Sequence, residues 1–389
     1  MNLNKKLWDW VRLGEFFQIE RGGSPRPIDN YYTDESDGLN WIKIGDATET
    51  TKYIFSTKQK IKPEGAKHSR MVYPGDFILS NSMSFGRPYI MQTTGCIHDG
   101  WLLLRDLTSK INKDYLFYAL GSDLVNRQFL SFAAGTTVKN LNIEVVKKVE
   151  IPLPPDKDQE TIASLFVSID AIIEQVEIQE KNLLNLQNSL INGLLESLPQ
   201  FGNLLSKGNT IIKRFGEVAD CIEKHDKEGN GITRFIGLEN IESGNFTIEK
   251  WGDISSGTTF TKRFNKGDVL FGKRRSYLKK VAVADFDGIC SGDILVFRAK
   301  EEVMLTGLLP FYVSSEAFIQ HAVTTSAGSL SPRTKWKDLR EFKFPFPDLK
   351  TQSMIFEVLN QIQLVSKQCK EQNKTLRTLK QNLLNEILG

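Results

Sequence analysis

The sequence predicts an α+β protein built as two tandem repeats, each a globular α/β part followed by one long α-helix, with the two helices pairing as an antiparallel coiled coil. Three observations carry this. A single offset of 193 residues superposes the halves of the 389-residue chain; a proline-rich stop closes each globular part; and heptads run on from each stop.

The repeat is read residue by residue. The offset sets Gly95 on Gly288, Leu102 on Leu295, Arg105 on Arg298, Ala134-Gly135 on Ala327-Gly328, and Ile151-Pro152-Leu153-Pro154 on Phe344-Pro345-Phe346-Pro347. Gln159 falls on Gln352. Earlier segments match with small slips: Arg12-Leu13-Gly14-Glu15 with Arg214-Phe215-Gly216-Glu217, and Pro74-Gly75-Asp76 with Lys266-Gly267-Asp268. Four segments follow: globular parts at 1–155 and 206–348, a central helix with linker at 156–205, and a C-terminal helix at 349–389. Each globular part carries short apolar runs such as Trp101-Leu102-Leu103-Leu104 and Ile294-Leu295-Val296-Phe297 between Gly and Asp, the texture of strands and turns. The prolines that close them lack amide hydrogens and cannot extend a sheet ladder.

Beyond the prolines the pattern turns helical. Heptads numbered from Ile162 place Ile162, Ile169, Val176, Leu183 and Leu190 at a, and Leu165, Ile172, Gln179, Leu186 and Gly193 at d. The second copy gives Ile355, Ile362, Cys369, Leu376 and Leu383 at a, and Val358, Val365, Gln372, Leu379 and Glu386 at d. This assignment predicts that Gln179 and Gln372 lie in the seam and fix its register, since a slipped pairing leaves a buried amide unsatisfied. Phe166, Ile173, Leu194, Leu359 and Ile387, at e, widen the stripe beyond what two helices bury, and are expected to face the globular parts and a protein partner.

Composition excludes several classes. A hydrophobic fraction of 40% with 24 Phe describes a folded chain. No window offers the uninterrupted apolar run of a membrane span, so no membrane association and a cytoplasmic location are expected. Cys96, Cys221, Cys290 and Cys369 are too scattered for a metal site or disulfide framework and read as buried thiols. Net charge is +3, but its distribution is uneven: residues 1–155 carry 20 basic against 17 acidic residues and residues 206–347 carry 22 against 18, whereas 156–205 carries 2 against 8. Within the second part Lys273, Arg274, Arg275, Lys279 and Lys280 surround Tyr277, a pattern suited to phosphate neutralisation and groove insertion. The equivalent stretch of copy one, with Asn81, Ser82, Arg87 and Tyr89, is amide-bearing and suited to reading base edges. A second pair of loops follows Ala-Gly: Thr137 and Lys139 in copy one, Ser331, Arg333 and Lys335 in copy two. No nucleotide-binding, nucleophile-elbow or zinc-protease motif is present, and no catalytic, cofactor-binding or metal-binding residue is assigned.

In this order, twice over, the motifs resemble the DNA specificity subunits of type I restriction-modification systems. The matching stretches are Val11-Arg12-Leu13-Gly14-Glu15, Glu20-Arg21-Gly22-Gly23-Ser24-Pro25, Trp41-Ile42-Lys43-Ile44-Gly45-Asp46, Pro74-Gly75-Asp76, and Ile151-Pro152-Leu153-Pro154-Pro155 with Gln159, the last recurring at Phe344 to Gln352. The resemblance implies that each globular part is a target recognition domain reading one half of a bipartite double-stranded DNA site. It implies that the helices space the domains and dock two modification subunits, which bind S-adenosylmethionine and methylate adenine, and that restriction subunits join where the system has them. Arg21, Ser24 and Arg26 join the DNA-contacting set on this basis. Copy two lacks Gly-Gly-Ser-Pro and carries Cys221-Ile222-Glu223-Lys224-His225 there. The alternative is a duplicated metal-dependent DNA endonuclease.

Overall fold

The computed structural model describes residues 3–47, 52–81, 86–133, 141–194, 210–226, 231–328 and 330–389. Two compact units divide it: unit 1 comprises Met1–Val176 with Gln372–Gly389, and unit 2 comprises Glu177–Glu371. These units cut through both long helices, Asp156–Gly193 and Leu349–Leu388, instead of following the boundaries at 155 and 348.

In unit 1 the strand Trp101–Asp106 pairs antiparallel with Phe17–Arg21 on one side and Phe77–Ser80 on the other, and Pro88–Met91 follows Phe77–Ser80. A second sheet sets Leu39–Ile42 parallel to Gly95–Ile97, which pairs antiparallel with Arg70–Val72. Unit 2 repeats this order. Ile294–Ala299 lies between Ala219–Cys221 and Val269–Gly272, Val281–Val283 follows, and Arg234–Ile236 runs parallel to Gly288–Cys290 beside Lys262–Phe264. The central strands are apolar without alternation because both faces are covered. Leu102 and Leu104 enter the core shared with the helices while Trp101 and Leu103 enter the core between the sheets; Leu295 and Phe297 part from Ile294 and Val296 in the same way.

Three polar devices explain the repeated motifs. In the Gly-Asp turns, Gly75 and Gly267 take φ of 94° and 91°, the left-handed region that favours glycine. The following Asp closes its own turn and accepts a forked arginine: Arg105 Nε and Nη2 donate to Asp76 at 3.1 and 2.7 Å, and Arg298 Nε and Nη2 to Asp268 at 2.7 and 2.8 Å. Gln159 Nε2 donates to the Pro154 carbonyl at 2.9 Å while its Oε1 accepts from Asn112 N at 2.8 Å; Gln352 does the same with Pro347 and Leu305 at 2.9 and 2.8 Å. The glutamine thus stitches the end of the closing strand to the first turn of the helix that follows.

The helices pair as expected in direction but not in register. In unit 1, Ile162, Phe166, Ile169 and Ile173 of the first helix share a core with Leu384, Ile387 and Leu388 of the second. In unit 2, Ile191 and Leu194 share a core with Ile355 and Leu359. The start of each helix therefore meets the end of the other. The buried positions are a and e: Phe166, Ile173, Leu194, Leu359 and Ile387 are all buried, so they are core and do not form an outward stripe. Most d positions face solvent: Gln179 and Gln372 are exposed, together with Ile172, Leu186, Val358, Val365 and Leu379, while Leu165 is half-buried and Gly193 buried. Spacings of four then three fit an a/e seam as well as three then four fit a/d, and the larger side chains, Phe166 above all, decide between them. Beyond Gln159 in its first turn, the first helix also buries Gln187, at an e position.

Candidate nucleic-acid interface

In unit 2 the two candidate loops of copy two come together. Lys273 to Lys280 follows the buried strand Val269–Gly272, and Ala327 to Lys335 follows helix Glu316–Thr324. Arg274 and Arg333 form an isolated antiparallel bridge, Thr334 N donates to the Lys273 carbonyl at 3.0 Å, and Arg275 N donates to the Pro332 carbonyl at 2.9 Å. Side chains reinforce the backbone: Arg274 Nε donates to Ser331 Oγ at 2.7 Å, which commits that hydroxyl. Arg275 and Lys279 adopt φ of 52° and 49°, strained for non-glycine residues, and this turn exposes Tyr277.

The junction is an acid that sequence reasoning missed. Asp293 accepts Arg333 Nε and Nη2 at 2.7 and 3.3 Å on its two oxygens, and Arg274 Nη1 stands 3.7 Å away. Hydrogen bonding from Arg333, ahead of the charges of Arg333 and Arg274, holds the Asp293 carboxyl below the usual range. Lys279 pairs with Glu316. Among the described residues no ion pair is formed by Lys273, Arg275 or Lys335. The only signal in the sequence was an acid directly before the apolar run Ile294-Leu295-Val296-Phe297, too common to single out.

Unit 1 builds a comparable junction from other residues. Asp99, one position off Asp293 in the repeat alignment, accepts Ser24 Oγ at 3.1 Å and lies 3.6 Å from Arg26 Nη2, and its carbonyl accepts Arg21 Nε at 3.2 Å. Arg21, Ser24 and Arg26 are therefore gathered around Asp99. The Gly22-Gly23 pair makes this approach possible, because a Cβ at Gly22 would stand 2.1 Å from the His98 carbonyl. In copy two the corresponding stretch goes elsewhere: Glu223 pairs with Lys262 at 3.0 Å, and Asp226 with Arg263 at 3.1 Å. An open cleft of about 710 Å³, lined by Ser24, Arg26, Tyr32, Trp41 and His98, lies beside Asp99.

Two expected base readers are structural instead. Asn81 is buried and donates Nδ2 to the Asp99 carbonyl at 2.8 Å, so its amide holds the junction and does not face solvent. Tyr89 is buried edge-on against Trp101 at 5.6 Å in the core between the sheets; its place on strand Pro88–Met91 turns it inward. Arg87 is half-buried, with its guanidinium 5.9 Å from the Tyr89 ring. Ser82, Thr137 and Lys139 lie outside the described residues. Burial pushes the Cys96 thiol up to about 11 and the Cys290 thiol up to about 12, in keeping with packed cysteines.

Two duplicated α/β parts presenting basic loops, joined to shared helices, define a modular nucleic-acid reader. Residues 5–186 and 211–377 match the model of the type I restriction modification DNA specificity domain, and the chain belongs to that family. It is 22% identical over 418 residues to the type I restriction enzyme EcoDI specificity subunit of Escherichia coli, covering 98% of this chain and 87% of that one. It is 21% identical over 409 residues to the MjaVIII specificity subunit of Methanocaldococcus jannaschii, covering 98% and 92%. The fold is shared with a chain of a type I restriction-modification system solved for its complex assembly and conformational transition, at TM-score 0.62 and 19% identity, covering 99% and 98%. It is also shared with the type I S subunit from M. genitalium, at TM-score 0.57 and 13% identity, covering 100% and 98%. Nothing in these likenesses supports the duplicated endonuclease.

Proposed function

We propose that this specificity subunit is a noncatalytic reader whose two globular parts each bind one half of a bipartite duplex site. The long helices set the spacing between them and dock two modification subunits. The single observation that carries the DNA reading is the convergence of both candidate loops of copy two into one basic surface, with Arg275, Lys273 and Lys335 outside any ion pair among the described residues. The chain itself would hold no cofactor; S-adenosylmethionine belongs to the modification subunits, with restriction subunits as further partners. No helix among the described residues is long and apolar enough to cross a membrane, in keeping with work in the cytoplasm.

The docking surface is assigned to the d stripe. Ile172, Leu186, Val358, Val365 and Leu379 are each 41–48% exposed at heptad spacing, the unpartnered face of helices whose a and e positions are already filled. Methylome sequencing after exchange of residues 1–150 for those of a relative tests the reading: one half-site should change and the other stay. A change in both, or in neither, would overturn independent readout. Val358→Asp with Val365→Asp should abolish co-purification with the modification subunit while unfolding remains unaltered; a retained complex would move the dock elsewhere.

A further inference from the structure

We infer that Arg333 reads a guanine in the half-site of copy two, and that Asp293 is the positioning residue that presents it. The inference rests on the proposed DNA reading and deepens it. An arginine offers five N–H donors on a rigid plane. Asp293 takes one edge of that plane, with Nε and Nη2 donating to separate oxygens at 2.7 and 3.3 Å. Among the described residues the end of the fork, the Nη1 hydrogens and the second Nη2 hydrogen, is left over, and the side chain is 46% exposed. Two parallel donors at that end match guanine O6 and N7 in the major groove.

The backbone is fixed as tightly as the guanidinium. Arg333 N donates to the Ala327 carbonyl at 3.0 Å, Ala327 N donates back at 3.1 Å, and the next residue is tied to Lys273. Asp293 is itself held, since its backbone N–H donates to Ser291 Oγ at 3.2 Å and its carbonyl accepts from Lys273 N at 2.9 Å. A side chain that only needs to meet phosphate gains little from such bracing, because a phosphate accepts donors from many directions; a base edge demands a plane and an angle. Arg275 makes the contrast within the same loop pair: its backbone is anchored, but no carboxylate braces its guanidinium among the described residues. Among the described residues of copy one, Arg26 lies 3.6 Å from Asp99 with its side chain 82% exposed, a single contact in place of a fork.

The test is selection of the purified full chain on a randomised duplex library, with a salt titration on the selected site, for the natural chain, Arg333→Ala, Arg333→Lys and Asp293→Asn. The natural chain should select a guanine in one half-site. Arg333→Ala should lose preference for that single base pair by roughly 5- to 140-fold, the range of one bidentate base contact, with little change in the salt dependence. Asp293→Asn, close in shape and safe for folding, should relax the same position and no other. Its effect should vanish in the Arg333→Ala background, which a merely structural role would not produce. Arg333→Lys should resemble Arg333→Ala, as an ammonium has no fork. Loss of affinity spread evenly over all sequences, with a flatter salt slope, would make Arg333 a phosphate contact and overturn the inference. So would a natural chain that selects a site which all three variants leave unchanged. A natural chain that selects no sequence at all would overturn the DNA reading itself.

Discussion

The two copies keep one framework and build comparable acid-centred junctions on it from different residues. Both have the Gly-Asp turn with its forked arginine and the glutamine stitch at the head of the helix. At the junction they diverge: Asp99 gathers a hydroxyl and a loose guanidinium from the loop at Gly22 to Arg26, whereas Asp293 gathers two arginines from the loops after Val269–Gly272 and Glu316–Thr324. The difference teaches that the scaffold depends on few polar contacts placed away from the reading loops. The loop chemistry can then be replaced without loss of the fold.

The comparison can be broken first at the helices, where the effects are largest. Phe166 and Leu359 occupy equivalent buried positions in units 1 and 2, so Phe166→Ala should cost about 3–5 kcal/mol and Leu359→Ala about 2–5 kcal/mol, each lowering the denaturant midpoint of its own unit. Ile172→Ala and Val358→Ala, one step along the helix on the exposed face, should stay within about 0.5 kcal/mol. Equal costs at both faces would restore the a/d seam. Next come the framework pairs. Arg298→Met leaves the buried Asp268 without its partner and should cost on the order of 3 kcal/mol by urea unfolding, somewhat more than Arg105→Met, because Asp76 is less fully buried. A smaller loss at Arg298 would show that the shared framework does not depend on this pair.

Smaller effects sharpen the contrast between the junctions. Arg275→Ala should flatten the slope of log affinity against log salt by roughly one unit, whereas Arg26→Ala, already beside Asp99, should change it less. The smallest effect is pH-dependent and belongs to copy one. His98 Nδ1 accepts Gly100 N–H at 2.6 Å, and burial, ahead of the opposing pull of Asp99, lowers its pKa from 6.5. A base whose folded pKa is depressed stabilises the fold above its unfolded pKa and loses that contribution as pH falls through the folded value. Unit 1 should therefore loosen on acidification below about 6.5, seen as faster amide exchange at Gly100, while unit 2, with Ser291 at the equivalent position, should not. His98→Gln should remove the dependence; exchange that accelerates equally in both units would assign it to other groups.

Much of this was legible in the sequence because repetition doubles every signal. The closing prolines, the Gly-Asp turns and Gln159 with Gln352 were visible as a pattern, and the structure supplies their hydrogen bonds. The seam was misread by one position, since a stripe that includes Leu165 and Ile172 as well as Phe166 and Ile173 is apolar on either choice; only packing against the globular cores separates them. Tyr89 and Asn81 looked like readers because loop and strand cannot be told apart in a polar stretch ending at Pro88. Asp99 and Asp293 were illegible for a different reason: an acid beside basic residues declares nothing until the chain brings the arginines to it from 40 residues away in the case of Arg333.

Unit 1 is discontinuous, closing its core with Leu384, Ile387 and Leu388, whereas unit 2 is one unbroken stretch from Glu177 to Glu371. On a ribosome adding about 5–20 residues per second, the half of the protein that is made first must wait for the last residues of the chain before it can finish folding. Until then the faces of Phe166 and Ile173 that those leucines cover stand open. The second-made unit can settle earlier, so order of synthesis and order of completion are reversed. A message truncated near its end would yield a chain with a sound second reader and an unfinished first one, a natural mark for removal by quality-control proteases.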